Sequence, residues 1–361
     1  MAYRNQIRQL GLATLILLAF ACGCAGSARY QRRSVIFFDY FDTAIQFIAE
    51  VKSEEEFLRY AKQAEDRFQE LHRLFNIYES YPDLINLCTI NTNAGGEALA
   101  VSPEIIALLQ LAREGYRLSG GLLDVTLGPL LRIWHDLRQE ALQNPDRAVL
   151  PQGAELREAL ALGGFENLQI DEDACLVCLT KPGMSLDVGA LAKGYATELV
   201  AHELFASGLQ NFLLDAGGNI RTMGKPLSTD KLRWSVGLQN PQSGTGDNFN
   251  PVIDIAYIGS AAVVSSGGYL RFYEVAGERY HHIIDPQTMY PAINCLATTV
   301  ISESSAAADL FSTITFLLSP QEAFALAEEQ GLALLIVLND GTIRTNIAMD
   351  QYLQSKGATN K

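Results

Sequence analysis

Apolar and polar positions alternate along the chain in two rhythms, and these divide it into helices and strands. From Phe57 through Ala61, Ala64, Phe68 and Leu71 to Phe75, apolar residues return every three or four positions, the spacing of a long amphipathic helix. Ser53 and Glu56 stand where a capping box opens such a helix. Ser102-Pro103 begins a second helix, which runs through Ile105, Leu108, Leu109 and Ala112 to Tyr116 and stops at Gly120-Gly121. Residues 35–49, rich in aromatic and β-branched side chains, read as one long strand that starts the fold. Short runs at 211–214, 234–238, 252–257 and 332–337 predict further strands, and 190–205 and 306–317 predict two more helices. The polar stretch 136–152, with Pro145 and Pro151, predicts an exposed excursion or hinge. The pattern is mixed α and β without the regular βαβ rhythm of a doubly wound sheet.

The first residues change this picture only by adding a compartment. Arg4 and Arg8 precede an apolar run over 10–20, too short to span a bilayer comfortably and followed by small residues, which predicts a secretory signal. In Leu18-Ala19-Phe20-Ala21-Cys22-Gly23-Cys24 a cysteine twice follows a small residue, as in a bacterial lipobox whose cysteine carries diacylglycerol. Cys22 and Cys24 stand equal as the lipidated residue, and an ordinary cleaved signal is the alternative. The chain is thus expected to be exported and membrane-anchored, facing the extracytoplasmic side. Residues 1–24 are its signal, 25–34 a basic linker, 35–346 one domain and 347–361 a C-terminal tail.

With 27 basic against 41 acidic residues, the net charge of -14 argues against nucleic acid as a partner and suits a cationic cofactor such as Mg²⁺. Beyond the signal lie Cys88, Cys175, Cys178 and Cys295. The C-x-x-C spacing of Cys175 and Cys178 has no second pair and no nearby histidine to complete a zinc site, so both read as strand residues.

Four constellations could carry chemistry. Asp187-Val188-Gly189-Ala190-Leu191-Ala192-Lys193-Gly194-Tyr195 joins a strand end to a helix start, where free amides and a lysine suit an anion. Neither a P-loop nor a G-x-G-x-x-G fingerprint is present, and alone the stretch reads slightly better as a glycine-containing helix cap. Asp215-Ala216-Gly217-Gly218-Asn219 allows close backbone approach to a ligand, or is a tight turn after a buried strand. In His281-His282-Ile283-Ile284-Asp285-Pro286, adjacent histidines on a strand face opposite ways. We take His282 as the candidate base, although a hydrogen-bonded structural histidine would look the same. Asp309 and Thr313 lie four apart on one predicted helix, so their oxygens share a face and invite a hard cation; an Asp favouring the helix dipole and a Thr bonding back to its helix are the bland alternative.

The order of these stretches resembles the ApbE family of FAD:protein FMN transferases, over roughly residues 40–338. Matching segments are Phe41-Asp42-Thr43, Asn76-Ile77-Tyr78 through Ile90-Asn91, Gly121-Leu122-Leu123-Asp124-Val125-Thr126-Leu127-Gly128-Pro129, and the Asp187 and Asp215 stretches. Ser266-Gly267-Gly268-Tyr269-Leu270-Arg271, His282 to Pro286, and Ala308-Asp309 to Thr313 complete the series. The resemblance implies an α+β, T-fold-related architecture of mixed sheets with flanking helices, one compact unit of two lobes. It implies that Phe41 and Tyr78 pack against flavin, that Leu122, Leu123, Asp124, Asp187, Lys193 and Ile284 line the FAD site, and that Asp309, Thr313 and the Ala190 carbonyl hold Mg²⁺. The reaction implied is attack by a Thr or Ser hydroxyl of an acceptor redox protein on the FMN-side phosphorus of FAD, with AMP leaving. His282 is the expected base, with Asp285 orienting or substituting for it. Phe41-Asp42 replaces the family's Met-Gly, Asn76 its Ser, and Met289 the Gly of a D-P-x-T-G-x-P turn, which puts the rim's shape in question. Rival readings are an Mg²⁺-dependent FAD pyrophosphatase and a lipid-tethered flavin binder without catalysis. A carrier of its own covalent flavin is a third, for which residues 340–345 only begin to resemble an acceptor motif.

Overall fold

The computed structural model describes residues 29–243 and 250–360; the predicted signal, with its lipidation at Cys22 or Cys24, lies outside them. Among the described residues the largest sheet has eight strands: β1 (Gln31–Tyr40), β2 (Thr43–Val51), β3 (Phe212–Ala216), β4 (Asn219–Met223), β5 (Ala262–Gly267), β6 (Ala297–Ser302), β7 (Ala333–Val337) and β8 (Ile343–Thr345). They are neighbours in space in the same order as in sequence, and every ladder between them is antiparallel. Five helices matter for the site: α1 (Glu54–Phe75), α2 (Pro103–Leu118), α3 (Gly128–Gln143), α4 (Ala192–Ala206) and α5 (Ser305–Leu317). The first four fall between β2 and β3, the fifth between β6 and β7.

Several sequence readings are corrected. The single strand expected over 35–49 is a hairpin, β1 and β2, with Tyr40 opposite Thr43 and Phe41-Asp42 as its two-residue turn. Both turn residues are left-handed, φ 54° and 51°. That hand matches the twist of the strands, but it normally announces itself by Asn-Gly, and here no glycine breaks the apolar pattern. Residues 31–34, read as linker, start β1, where Arg32 pairs with Glu50 at 2.9 Å. The excursion expected over 136–152 is helical as far as Gln143: Leu130, Trp134 and Ala141 form a buried stripe, and the polar residues are simply the outer face of α3. α1 begins as expected, with Ser53 Oγ accepting the Glu56 N–H at 3.1 Å, but Glu56 reaches back to the Lys52 N–H at 2.8 Å and not to Ser53.

Apolar side chains gather in three clusters. The largest lies between the sheet and α1, α2, α4 and α5, around the fully buried Phe47, Phe68, Phe212 and Phe316. A second covers the opposite sheet face with the hairpin Trp234–Gln239 and Val252–Ile258. Met349 and Leu353 are buried in it, so part of the segment read as a tail belongs to the core. The third joins α3 and the helix Gly153–Leu162 to the hairpin Phe272–Val275 and Glu278–His281, through Trp134, Leu156 and Tyr273. This smaller lobe and the main body share a cleft. The four cysteines among the described residues are free; Cys178 lies in the strand Leu176–Leu179 and Cys175 in the turn before it.

Candidate active site

The site is built where α4 and α5 touch. Gly194 permits the contact, since a β-carbon there would lie 2.3 Å from Asp309 Cβ and 2.5 Å from the Ser305 carbonyl oxygen. Its amide donates to Asp309 Oδ2 at 2.7 Å, in the first turn of α4. Below this contact, a buried ion pair fixes the start of α5. Arg221 of β4 donates through Nε and Nη2 to Glu198 of α4 at 3.1 Å, and Glu198 also accepts the Ser305 N–H. Ser305 Oγ donates to Asn219 Oδ1 at 2.5 Å, and Asn219 Nδ2 is buried without completing a hydrogen bond. Burial raises the Asp309 carboxyl above the usual carboxylate range, with Lys193, the Gly194 N–H and the Asn219 amide pulling the other way. A cation beside it would favour the charged form.

The Asp187 stretch is a turn entering α4. Asp187 Oδ1 accepts the Gly189 N–H at 2.8 Å, and Lys193 Nζ donates to the Gly189 carbonyl at 3.4 Å. The Asp215 stretch is the β3–β4 turn. Gly217 and Gly218 are left-handed, and a side chain on Gly217 would strike Thr43 Oγ1. Two hairpin tips, at Phe41-Asp42 and at Gly217-Gly218, therefore meet on one rim.

A single cleft of about 930 Å³ brings together Phe41, Tyr78, Leu122, Leu123, Asp124, Asp187, Ala190, Lys193, His282, Ile284, Asp309 and Thr313. Not all are free to act through their side chains: Asp124 Oδ1 is held by the Thr126 N–H at 2.8 Å and its hydroxyl at 2.6 Å. Tyr78 is 46% exposed, its ring 5.3 Å from that of His135 and 5.4 Å from the Arg132 guanidinium. Desolvation, then the charges of Asp187 and Asp42, push its phenol up to about 12, so it stays protonated and presents a neutral face. Of the two histidines, His281 meets the Ala292 carbonyl through Nε2 at 2.8 Å and packs edge-on to Phe316. His282 is open to solvent in the cleft yet enclosed by protein elsewhere. That enclosure, then Arg271, His281, Arg138 and Lys193, lowers its pKa, and the water reaching the ring tempers the effect.

Asp285 departs from expectation. It is absent from the cleft wall, and its Oδ1 accepts the Gln287 N–H at 2.8 Å, so the carboxylate caps its own turn and does not orient His282. In that turn Met289, standing for the family's glycine, takes the left-handed conformation at φ 64°, and Trp134 Nε1 donates to its carbonyl at 3.0 Å. Sequence reasoning missed His72, whose Nδ1 accepts the Phe41 N–H at 3.1 Å, together with His135 and Arg138 on the cleft wall. All three sit on long helices, where periodicity does not mark chemistry. Asn219, Ser266 and Arg271 lay inside quoted motifs but carried no assigned role.

The oxygens of Asp309, Thr313 and the Ala190 carbonyl make a hard donor set, and among the described residues no group of three His, Cys, Asp or Glu side chains could hold a metal instead. One carboxylate with a hydroxyl and a carbonyl fits Mg²⁺, which keeps waters and takes further oxygens from a bound phosphate.

The ApbE family model matches residues 41–336. An FAD:protein FMN transferase of Klebsiella pneumoniae (strain 342) is 31% identical over 266 residues, covering 72% of this chain and 78% of that protein. Another FAD:protein FMN transferase, from Treponema pallidum (strain Nichols), is 32% identical over 273 residues, 72% of each. Among solved structures, the ApbE protein of Thermotoga maritima MSB8 superposes with a TM-score of 0.75 at 28% identity, over 89% of this chain and 99% of its own. An α+β fold with this cleft and these relatives is that of a transferase enzyme. The chain belongs to the ApbE family.

Proposed function

We propose that this chain is an Mg²⁺-dependent FAD:protein FMN transferase, moving FMN from FAD to a Thr or Ser hydroxyl of an acceptor redox protein and releasing AMP. The observation that carries the reading is the shared cleft, in which flavin-sized aromatic walls stand in one cavity with Lys193, Asp309 and Thr313. Phosphoryl transfer mainly needs positioning and charge neutralisation, and this cavity supplies both. Mg²⁺ held by Asp309, Thr313 and the Ala190 carbonyl would neutralise charge on the phosphate oxygens. The acceptor oxygen forms a bond to the FMN-side phosphorus as the bond from that phosphorus to the AMP-side oxygen breaks. The hydroxyl proton passes to His282, which its surroundings keep neutral and able to accept it. Phe41 and Tyr78 hold the isoalloxazine, and Lys193 adds positive charge near the phosphates.

The test combines FAD, MgCl₂ and an acceptor protein carrying a flavinylation motif, and reads intact masses and free AMP. Metal-dependent gain of FMN by the acceptor is expected. His282→Ala should keep FAD binding and cut transfer by roughly 10²–10⁴-fold, the usual contribution of a general base. FMN and AMP released without acceptor labelling would instead make the chain a pyrophosphatase, and FAD bound unchanged would leave only a flavin binder.

A further inference from the structure

Of the six non-glycine residues with a positive φ among the described residues, three lie within four positions of one another at the tip of the β1–β2 hairpin: Asp39 (φ 71°), Phe41 (54°) and Asp42 (51°). The left-handed region is sterically costly for a side chain as bulky as that of Phe41, and it persists where the surroundings over-determine it. No glycine eases this tip, and the β1–β2 ladder slips between Phe37 and Tyr40 just before it. Phe41 and Asp42, being the turn, lie outside the ladder, so their backbone groups need partners from elsewhere. Two come from other elements: the Phe41 N–H donates to His72 Nδ1, in the last turn of α1, at 3.1 Å, and the Asp42 carbonyl accepts from Arg271 Nη2 at 3.2 Å.

His72 is not among the buried residues through which α1 joins the core; Leu71 and Phe75 serve there. What it does contact is the hairpin tip. Its ring stands edge-on to that of Phe41 at 5.5 Å and to that of Tyr40 at 6.1 Å, and it shares the cleft wall with Phe41 and Asp42. A neutral imidazole with its proton on Nε2 is the form that accepts at Nδ1. Half-burial favours that form: desolvation lowers the His72 pKa, with the charges of Asp42 and Glu79 pulling the other way. Nε2, in turn, meets no protein acceptor among the described residues.

We propose that His72 is a positioning residue for the flavin: by accepting the Phe41 N–H it holds the left-handed tip in the shape that presents the Phe41 ring to the isoalloxazine. This role rests on the reading of the cleft as an FAD site with Phe41 as one of its flavin contacts. It requires no transfer step, so binding alone tests it. The rival way for His72 to act is directly, through its Nε2–H on the ligand, and the choice of variants separates the two.

Calorimetry in the presence of Mg²⁺ compares the binding of FAD with that of ADP, which carries adenosine and pyrophosphate but no isoalloxazine. His72→Ala should weaken FAD binding roughly five- to tenfold, the worth of one hydrogen bond, and leave ADP binding unchanged. His72→Asn sets an amide oxygen near the place of Nδ1 and should restore FAD affinity to within about twofold of wild type, whereas His72→Gln, whose amide reaches toward the place of Nε2, should not. Unaltered FAD affinity in His72→Ala overturns the role. An equal loss for FAD and ADP makes His72 a general support of the fold and also overturns it. Rescue by Gln and not by Asn assigns Nε2 to direct contact with the ligand, against the tip-holding role. If the wild-type protein binds FAD no more tightly than ADP, the flavin reading of the cleft falls and the role of His72 with it. FAD bound in this pattern but transferred to no acceptor removes the transferase reading alone and leaves the role of His72 standing.

Discussion

His282 shows how far neighbours can move one side chain from its ordinary chemistry. Enclosure and the charges of Arg271, Arg138 and Lys193 all disfavour its imidazolium, so the neutral ring persists to a lower pH than the 6.5 of a free imidazole. The acid limb of the transfer rate should therefore fall below pH 6.5, measured under FAD and acceptor saturation with Mg²⁺ constant. A limb at or above 6.5 would assign the proton to some other group. At this scale the sequence was informative about identity and poor about geometry. His282 could be preferred to His281 only by the alternation of a strand, and the Ala292 carbonyl that occupies His281 lies 11 residues away in sequence. Asp285 looked like a partner because it is near in sequence, yet a carboxylate just before a turn satisfies that turn's own amides first. The left-handed Met289 and Phe41 were invisible because neither is a residue type that signals a positive φ.

Between elements, the close approach of α4 to α5 is the feature on which the proposed metal site depends. Gly194→Ala inserts a methyl group against Asp309 Cβ, the Ser305 carbonyl and Asn219 Nδ2. Overpacking of this kind costs about 1–3 kcal/mol. Its sharper effect should be on the site: Mg²⁺ affinity in the presence of FAD, followed by calorimetry, should drop at least tenfold, with a smaller loss in Tm. Unchanged Mg²⁺ affinity would mean that Asp309 holds its place without this contact, or that the metal sits elsewhere. Both helices were placed in advance, at 190–205 and 306–317. Their mutual contact was not, because Gly194 and Asp309 are 115 residues apart and nothing local encodes the pairing. The β1–β2 hairpin failed for the opposite reason: its apolar residues run through the turn without the break that would have located it.

Across the whole molecule, the sheet is closed on both faces, and the last residues are part of that closure. Met349 and Leu353 are 0% and 1% exposed, and Leu353 bridges Ala256 in the hairpin beneath the sheet. Burying a side chain of this size contributes about 1.5–3 kcal/mol. A chain ending at Asn346 should thus lose roughly 3–6 kcal/mol, read as a lower urea midpoint or as insoluble expression. A truncated chain as stable as the full one would show these contacts to be incidental. The mixed α and β class was legible from pattern, whereas the β1–β2 hairpin, α3 and this role of the C-terminus were not, the last because a short polar-flanked segment carries too little periodicity to announce burial. The sheet's strict sequential order has its own consequence for biogenesis. From Val51 to Phe212 roughly 160 residues intervene, so a ribosome releases the β1–β2 hairpin long before β3, the strand that will cover its inner edge, has been made. Throughout that interval the nascent chain carries an unclaimed strand edge, and only the stacking of Phe57 from the helix that follows at once covers Phe47.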